Sequence, residues 1–192
     1  ILIVGKGDTV LLKGESGCGK LTLIMLICRI EDFQGLKGCI EYNHYPVGEY
    51  HIKQYYNHIL YVEQNIVLVE GSLFDHLVFG DHYTQSELAE VLWTGVLDTF
   101  CDERGADFYI KENGENISGG ERQRIGIARM LLRKPEVLVL DEATSALDEE
   151  SRRILLDRLM RYKQKYCMTI LAVSHMGDFD LYCNKTFEIV SL

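Results

Sequence analysis

Basic residues are in short supply in this chain: 20 Lys and Arg stand against 29 Asp and Glu, a formal net charge of −9. That balance argues against sequence-independent nucleic-acid binding, which runs on cationic contacts to phosphate. Long apolar runs are missing too. The longest, residues 21–30, carries Thr22, Cys28 and Arg29 and falls well short of the roughly 20 residues that span a bilayer. By itself the chain is not expected to cross a membrane, and this run reads as a buried core helix, apolar on most sides. No C-x-x-C pair and no secretory start accompany the six cysteines, Cys18, Cys28, Cys39, Cys101, Cys167 and Cys183. A disulfide framework is therefore rejected in favour of small buried hydrophobes in a reducing cytosol. Proline is nearly absent, with two residues, while 47% of the chain is hydrophobic and 26% charged. This is a globular composition, large enough for one domain with a real core. Internal repeats and low-complexity tracts are also missing.

What is there begins with Gly14-Glu15-Ser16-Gly17-Cys18-Gly19-Lys20-Leu21-Thr22. A strand-like stretch, Thr9-Val10-Leu11-Leu12-Lys13, enters it, and a helix-like stretch leaves it. A glycine-rich turn between strand and helix, ending in lysine, is a phosphate cradle. Glycines let successive N–H groups point into one cavity, the helix N-terminus adds partial positive charge, and the lysine reaches the terminal phosphates. One position departs from the pattern G-x-x-x-x-G-K-[ST]: Leu21 stands where a magnesium-binding hydroxyl is expected. Cys18, beside a helix N-terminus, is the one cysteine read as a reactive thiol.

Further strands are expected at residues 39–42 and 59–62, separated by a turn over 43–48. Ser72 to Asp75 forms a capping box that opens a short helix, and Ser86 to Leu97 has helical spacing. Residues 72–132 read as mostly helix. Val137-Leu138-Val139-Leu140 is a continuous apolar run, typical of a strand buried on both faces of a parallel sheet. A helix over 149–162, a buried strand over 168–173 and a last strand over 187–190 complete the pattern. The expected fold is α/β: a phosphate-loop core with a mostly parallel sheet flanked by helices, a small antiparallel region and an inserted helical subdomain. The core would comprise 1–66 and 135–192, and the helical subdomain about 67–134.

Two more segments carry chemistry. Asp141 and Glu142 end the buried strand, where ligands bind in open α/β sheets. One carboxylate there suits a magnesium ion and its neighbour a water that attacks the γ-phosphate. Ser118-Gly119-Gly120-Glu121 precedes a basic helix. It is a capping box, useful for stability alone, but two glycines weaken a first turn and make sense where a phosphate approaches the backbone. Arg122, Arg129 and Arg133 read as the solvated face of that helix.

These residues, with Gln64, Ser145-Ala146-Leu147-Asp148 and His175, occur in the order and spacing of ABC-transporter nucleotide-binding domains. The chain resembles that family over nearly its whole length. The run through Arg122-Gln123-Arg124 to Ala128-Arg129, with Gly71-Ser72-Leu73-Phe74 and Glu112-Asn113-Gly114, resembles its exporter branch. The resemblance implies that Lys20 and the loop amides hold the β- and γ-phosphates of ATP. Gln64 would sense Mg2+ and the attacking water and link the site to a transmembrane domain. Asp141 would hold magnesium, Glu142 would act as general base and His175 as a switch contacting the γ-phosphate. Ser118, Gly119, Gly120 and Glu121 would close over the ATP of a second nucleotide-binding domain, in a head-to-tail homodimer or heterodimer, with Asp148 at the interface. Such a domain works at the cytoplasmic face of a membrane and does not bind nucleic acid.

Two departures accompany the resemblance. Leu21 removes a magnesium ligand, and Thr22, turned by about 100° on the helix, does not replace it. The aromatic that stacks on adenine in the family belongs to a strand before residue 1. The chain is therefore expected to be part of a longer polypeptide whose transmembrane domain lies upstream. A transport motor is the first reading, a regulatory module that has lost hydrolysis the second, and a soluble relative acting on DNA or ribosomes the third. The transported substrate, a peptide, lipid or drug-like compound, is not legible here.

Overall fold

The computed structural model describes residues 1–31, 37–105, 107–175 and 177–190. In chain order the elements are β1 (Thr9–Lys13), α1 (Lys20–Ile27), β2 (Glu41–Tyr42), β3 (Tyr45–Pro46), α2 (Ile52–His58), β4 (Ile59–Val62), β5 (Gly71–Ser72), α3 (Leu73–Val78), α4 (Gln85–Thr94), α5 (Asp98–Arg104), β6 (Tyr109–Ile110), α6 (Gly119–Leu132), β7 (Val137–Asp141), α7 (Glu149–Tyr166), β8 (Thr169–Val173) and β9 (Lys185–Glu188). Five strands pair in the order β4-β7-β8-β1-β9, every neighbouring pair parallel. The pairs β2-β3 and β5-β6 are short and antiparallel. The expected α/β class and its small antiparallel region are both present.

Period-two alternation explains why the sheet is covered on both sides. Leu11, Leu138, Leu140, Ile170 and Ala172 pack into one core with residues of α3 to α7. Their neighbours Val10, Leu12, Val139, Leu171 and Val173 pack into a second core with Ile24, Val47 and Tyr55. Each such valine, leucine or isoleucine, fully buried, stabilises the fold by about 1.5–3 kcal/mol. The helices between β5 and β7 share the first core with the sheet and α7.

Side chains cap most of the long helices. Ser72 and Thr84 accept from the N–H groups of Asp75 and Glu87, so the capping box expected at Ser72 is formed. Ser118 caps α6 and Asp148 caps α7. The N–H of Ser151 holds the Asp148 carboxyl below the usual carboxylate range. Between α4 and α7, Arg158 lies 4.7 Å over the ring of Trp93 and bonds Asp98 at 3.0 Å.

Three local expectations are corrected. The apolar run after Lys20 ends its helix at Ile27, and Leu21, Thr22 and Ile30 are exposed, so α1 is not buried on most sides. The last strand is Lys185–Glu188, two residues earlier than its apolar residues suggest, because an edge strand alternates polar and apolar. All six cysteines are free, but Cys39 and Cys167 are exposed and only Cys28 is buried. Burial pushes the Cys28 thiol up to about 12.

Candidate active site

The strand order builds the site. β1 lies beside β8, β8 beside β7 and β7 beside β4. Because all four run parallel, the segments that follow them emerge at one edge. These are the 14–19 loop after β1, Gln64 after β4, Asp141 and Glu142 at the end of β7, and His175 after β8.

The 14–19 loop depends on its glycines. Gly14, Gly17 and Gly19 have φ of 149°, 82° and 99°, values that L side chains adopt at a cost. A Cβ on Gly14 would also lie 2.4 Å from the Ile189 carbonyl oxygen and 2.6 Å from Cys18 Sγ. Gly19 begins α1 without a side-chain cap, and no acidic residue occupies the first turn. The positive end of that helix is thus left for an anion rather than for a side chain of its own. Lys20 is buried, and its Nζ donates to the carbonyls of Gly14 at 2.6 Å and Glu15 at 2.7 Å. Leu21, the next residue, is 51% exposed and brings no oxygen to this turn.

The carboxylate cluster is held from two sides. Gln64 Nε2 donates to Glu142 Oε2 at 2.8 Å, and His175 Nε2 lies 3.3 Å from Glu142 Oε1. Glu142 itself has a left-handed φ of 47° while its N–H donates to the Val173 carbonyl at 3.0 Å. A non-glycine residue held in that region costs about 1–3 kcal/mol, and such costs cluster at functional sites. Tyr61, the last residue but one of β4, donates its hydroxyl to Asp141 Oδ2 at 2.9 Å. Burial pushes the Tyr61 phenol up, and the Asp141 carboxylate adds to that, so it serves as a donor across the ordinary pH range. The loops after β7 and β8 are further tied through Asp178, which accepts from Thr144 at 2.6 Å and from Ser174.

Ser118 and Glu121 do form a capping box: Ser118 Oγ accepts from the Glu121 N–H at 3.1 Å, and Glu121 Oε2 accepts from the Ser118 N–H at 2.6 Å. Arg104 pairs with Glu121 at 3.3 Å. The double glycine has a use that the sequence did not suggest. A Cβ on Gly119 would meet Ala146 Cβ at 3.2 Å, and one on Gly120 would meet Leu147 Cδ2 at 3.0 Å and the Ala146 carbonyl oxygen at 3.2 Å. The glycines let α6 lie directly on the chain's own 145–147 loop. A cleft of ≈ 350 Å³ opens beside this contact, lined by Gln64, Asn113, Gly119, Arg122 and Ser145 among others.

Sequence reasoning missed Tyr61 and the buried Gln123, both polar residues on otherwise apolar faces. It also misread Arg129, which is not a solvated residue. Its guanidinium lies 5.8 Å over the ring of Phe79, its Nε is buried without a hydrogen-bond partner, and burial lowers its pKa. Asp148 is exposed at the start of α7, and Thr22 is exposed beside Leu21.

Among the described residues no group of three or more His, Cys, Asp or Glu side chains is arranged to hold a metal unaided. The oxygen donors at the site are the Asp141 and Glu142 carboxylates and the Gln64 amide. A magnesium ion commonly takes one or two carboxylates and completes its shell with substrate phosphates and water. The donor set fits that arrangement, with one protein oxygen fewer because of Leu21.

Comparison with known proteins places these features. The family described as ABC transporter matches residues 2–145. The ATP-dependent lipid A-core flippase 2 of Colwellia psychrerythraea is 38% identical over 173 residues, 88% of this chain and 29% of that protein. An ABC transporter of Fusarium pseudograminearum is 36% identical over 178 residues, 91% of this chain and 14% of that protein. The structure of a bacterial Atm1-family ABC exporter with ATP bound superposes with a TM-score of 0.88 at 25% identity, over 96% of this chain and 32% of that one. The chain therefore spans less than a third of the length of each of these relatives.

Proposed function

The chain belongs to the ABC transporter family, and on that premise we propose that it is the ATP-hydrolysing motor domain of an exporter. One observation carries the reading: the parallel strands deliver a glycine-lysine anion loop, an Asp-Glu pair, Gln64 and His175 to a single sheet edge. The 14–19 loop, the start of α1 and Lys20 bind the phosphates of ATP. Asp141 and Gln64 hold Mg2+, which when bound neutralises charge on the phosphoryl oxygens. Glu142 accepts a proton from the attacking water. As the water oxygen bonds to the γ-phosphorus, the bond to the β,γ-bridging oxygen breaks, and ADP and inorganic phosphate leave. His175 and Gln64 hold the Glu142 carboxylate from opposite sides and keep it aimed.

In this reading Ser118, Gly119, Gly120 and Glu121 grip the ATP of a second copy or a homologous domain, with Asp148 alongside. The helical lobe of residues 67–134 faces the transmembrane partner. Phe79, 71% exposed at the rim of a ≈ 320 Å³ groove with Leu77, Tyr83 and Met130, is the apolar surface that partner covers. Among the described residues no helix is long and apolar enough to cross a membrane. In this reading the membrane span belongs to a transmembrane domain, in the same polypeptide or a partner, and the motor works at the cytoplasmic face. One observation favours the hydrolysis-impaired alternative, namely Leu21. Against it, Glu142 is present, and Gln64 and His175 each contact its carboxylate.

The test uses the complete transporter with Glu142→Gln. Removing a general base lowers turnover by about 10²–10⁴-fold. ATP binding should persist, and ATP should now hold the two motor domains together, read by cysteine cross-linking across the interface. A variant that neither slows hydrolysis nor gains ATP-dependent cross-linking would end the motor reading.

A further inference from the structure

One face of α6 touches two of the loops that carry the site, the one after β4 and the one after β7. At Gly119 and Gly120 it lies on Ala146 and Leu147. One turn on, at Gln123, it reaches the backbone of Glu142. At Gly126 it passes beneath Ile66, whose Cδ1 would be 2.1 Å from a Cβ placed there. Ile66 belongs to the same loop as Gln64. Residues 120, 123 and 126 recur at helical spacing, so these contacts form a single stripe.

Gln123 is the polar member of that stripe, and it is 4% exposed. A buried amide is retained only when its donors and acceptor are matched. Its Oε1 accepts from the Ala146 N–H at 2.9 Å. Its Nε2 donates to the Ser145 hydroxyl at 3.1 Å and to the Glu142 carbonyl at 3.3 Å. All three bonds go to one short loop, which begins at the strained Glu142. The loop's own turn adds a bond from the Ser145 N–H to the Glu142 carbonyl at 3.0 Å. Nothing else on α6 bonds to the Glu142 backbone among the described hydrogen bonds.

We propose that Gln123 is a positioning residue for hydrolysis, its buried amide pinning the loop from Glu142 to Ala146 onto α6. The base that serves this chain's own nucleotide and Ser118, which caps the same helix, then move as one body. The inference rests on the motor reading for its kinetic consequence, but the pin itself is a separate physical claim.

The complete transporter with Gln123→Leu keeps the volume of the side chain and loses all three bonds. The expected kcat is about tenfold lower or less, with KM for ATP and the affinity for a fluorescent ATP analogue within about twofold. Hydrogen exchange at the Ala146 N–H should accelerate at least about tenfold as its acceptor is lost. Gln123→Glu has the same shape but no donor while ionised. Its kcat, relative to the unsubstituted protein at each pH, should recover as the pH falls and the carboxyl gains a proton to donate.

A folded Gln123→Leu transporter with unchanged kcat, or with a rise in KM that accounts for the whole loss, would overturn the proposal. If that variant does not fold, the pH profile of Gln123→Glu decides, and a profile parallel to the unsubstituted one overturns it. Failure of the motor reading looks different: the unsubstituted transporter would not hydrolyse ATP at all. The exchange rate at Ala146 would still judge the pin, and an unchanged rate would refute it.

Discussion

Restoring a hydroxyl at position 21 isolates the effect of the missing magnesium ligand. Leu21 follows Lys20 in the first turn of α1 and is 51% exposed. Fully burying a leucine is worth about 1.5–3 kcal/mol, so the buried half contributes about 1 kcal/mol. Serine is a slightly poorer helix former, which adds a few tenths of a kcal/mol. Leu21→Ser should therefore lower the melting temperature by about 2–6 °C in a chain of this size. In exchange, a hydroxyl oxygen would join Asp141 and Gln64 near the phosphates. Replacing one bound water by a fixed ligand is worth on the order of 1–2 kcal/mol, a factor of about 5–30. The assay is ATPase rate against free Mg2+ at saturating ATP in the complete transporter. Leu21→Ala serves as the control that loses the same packing without gaining an oxygen. The half-saturating Mg2+ concentration should drop for Leu21→Ser alone, while ATP binding in a chelator stays the same for all three. If the magnesium curves of the serine and alanine variants superpose, the inference from Leu21 is wrong.

Two further predictions test other parts of the structure. Gly14→Ala places a methyl group against the Ile189 carbonyl in a left-handed backbone region. It should cost about 3–5 kcal/mol and abolish ATP binding, whereas a melting temperature within a degree of the original would contradict the geometry. Asp8 concerns acid stability. The Lys185 ammonium at 2.6 Å, helped by the Asn184 amide, holds its carboxyl at about 2, against an ordinary value of 3.8. A folded value below the unfolded one means that the stabilisation is complete above the unfolded pKa. It is lost as the pH falls from about 4 through about 2. Urea midpoints measured down that range should fall more gently for Asp8→Asn, and equal slopes would refute the assignment.

Most strands of the sheet were legible because burial on both faces forces a continuous apolar run. Thr9–Lys13 and Ile59–Val62 occupy the residues expected, and Val137–Asp141 adds only its final carboxylate. The edge strand β9 was displaced because only Phe187 carries an apolar signal within it. β5 and β6 are two residues each, too short to show a period. At the site, the Asp-Glu pair and the glycine loop declared themselves by local spacing. Tyr61 and Gln123 did not, since their partners lie 80 and 19 to 23 residues away in sequence. A half-buried tyrosine in a strand and a glutamine on a basic helix look like ordinary residues until the sheet order brings Asp141 and Glu142 beside them. Gly119 and Gly120 were legible as unusual, but one use of them, accommodating Ala146 and Leu147, belongs to tertiary packing alone.

The chain holds a single tryptophan, and the contact of Trp93 with Arg158 gives it an optical use. The indole sits on α4 and the guanidinium above it on α7, 4.7 Å from the ring. An excited indole is sensitive to a nearby charge, so any rocking of α4 against α7 would alter its emission. Within these 192 residues no other tryptophan contributes, so tryptophan emission excited outside the tyrosine band reports that one joint. Stopped-flow mixing could then time its movement without a dye.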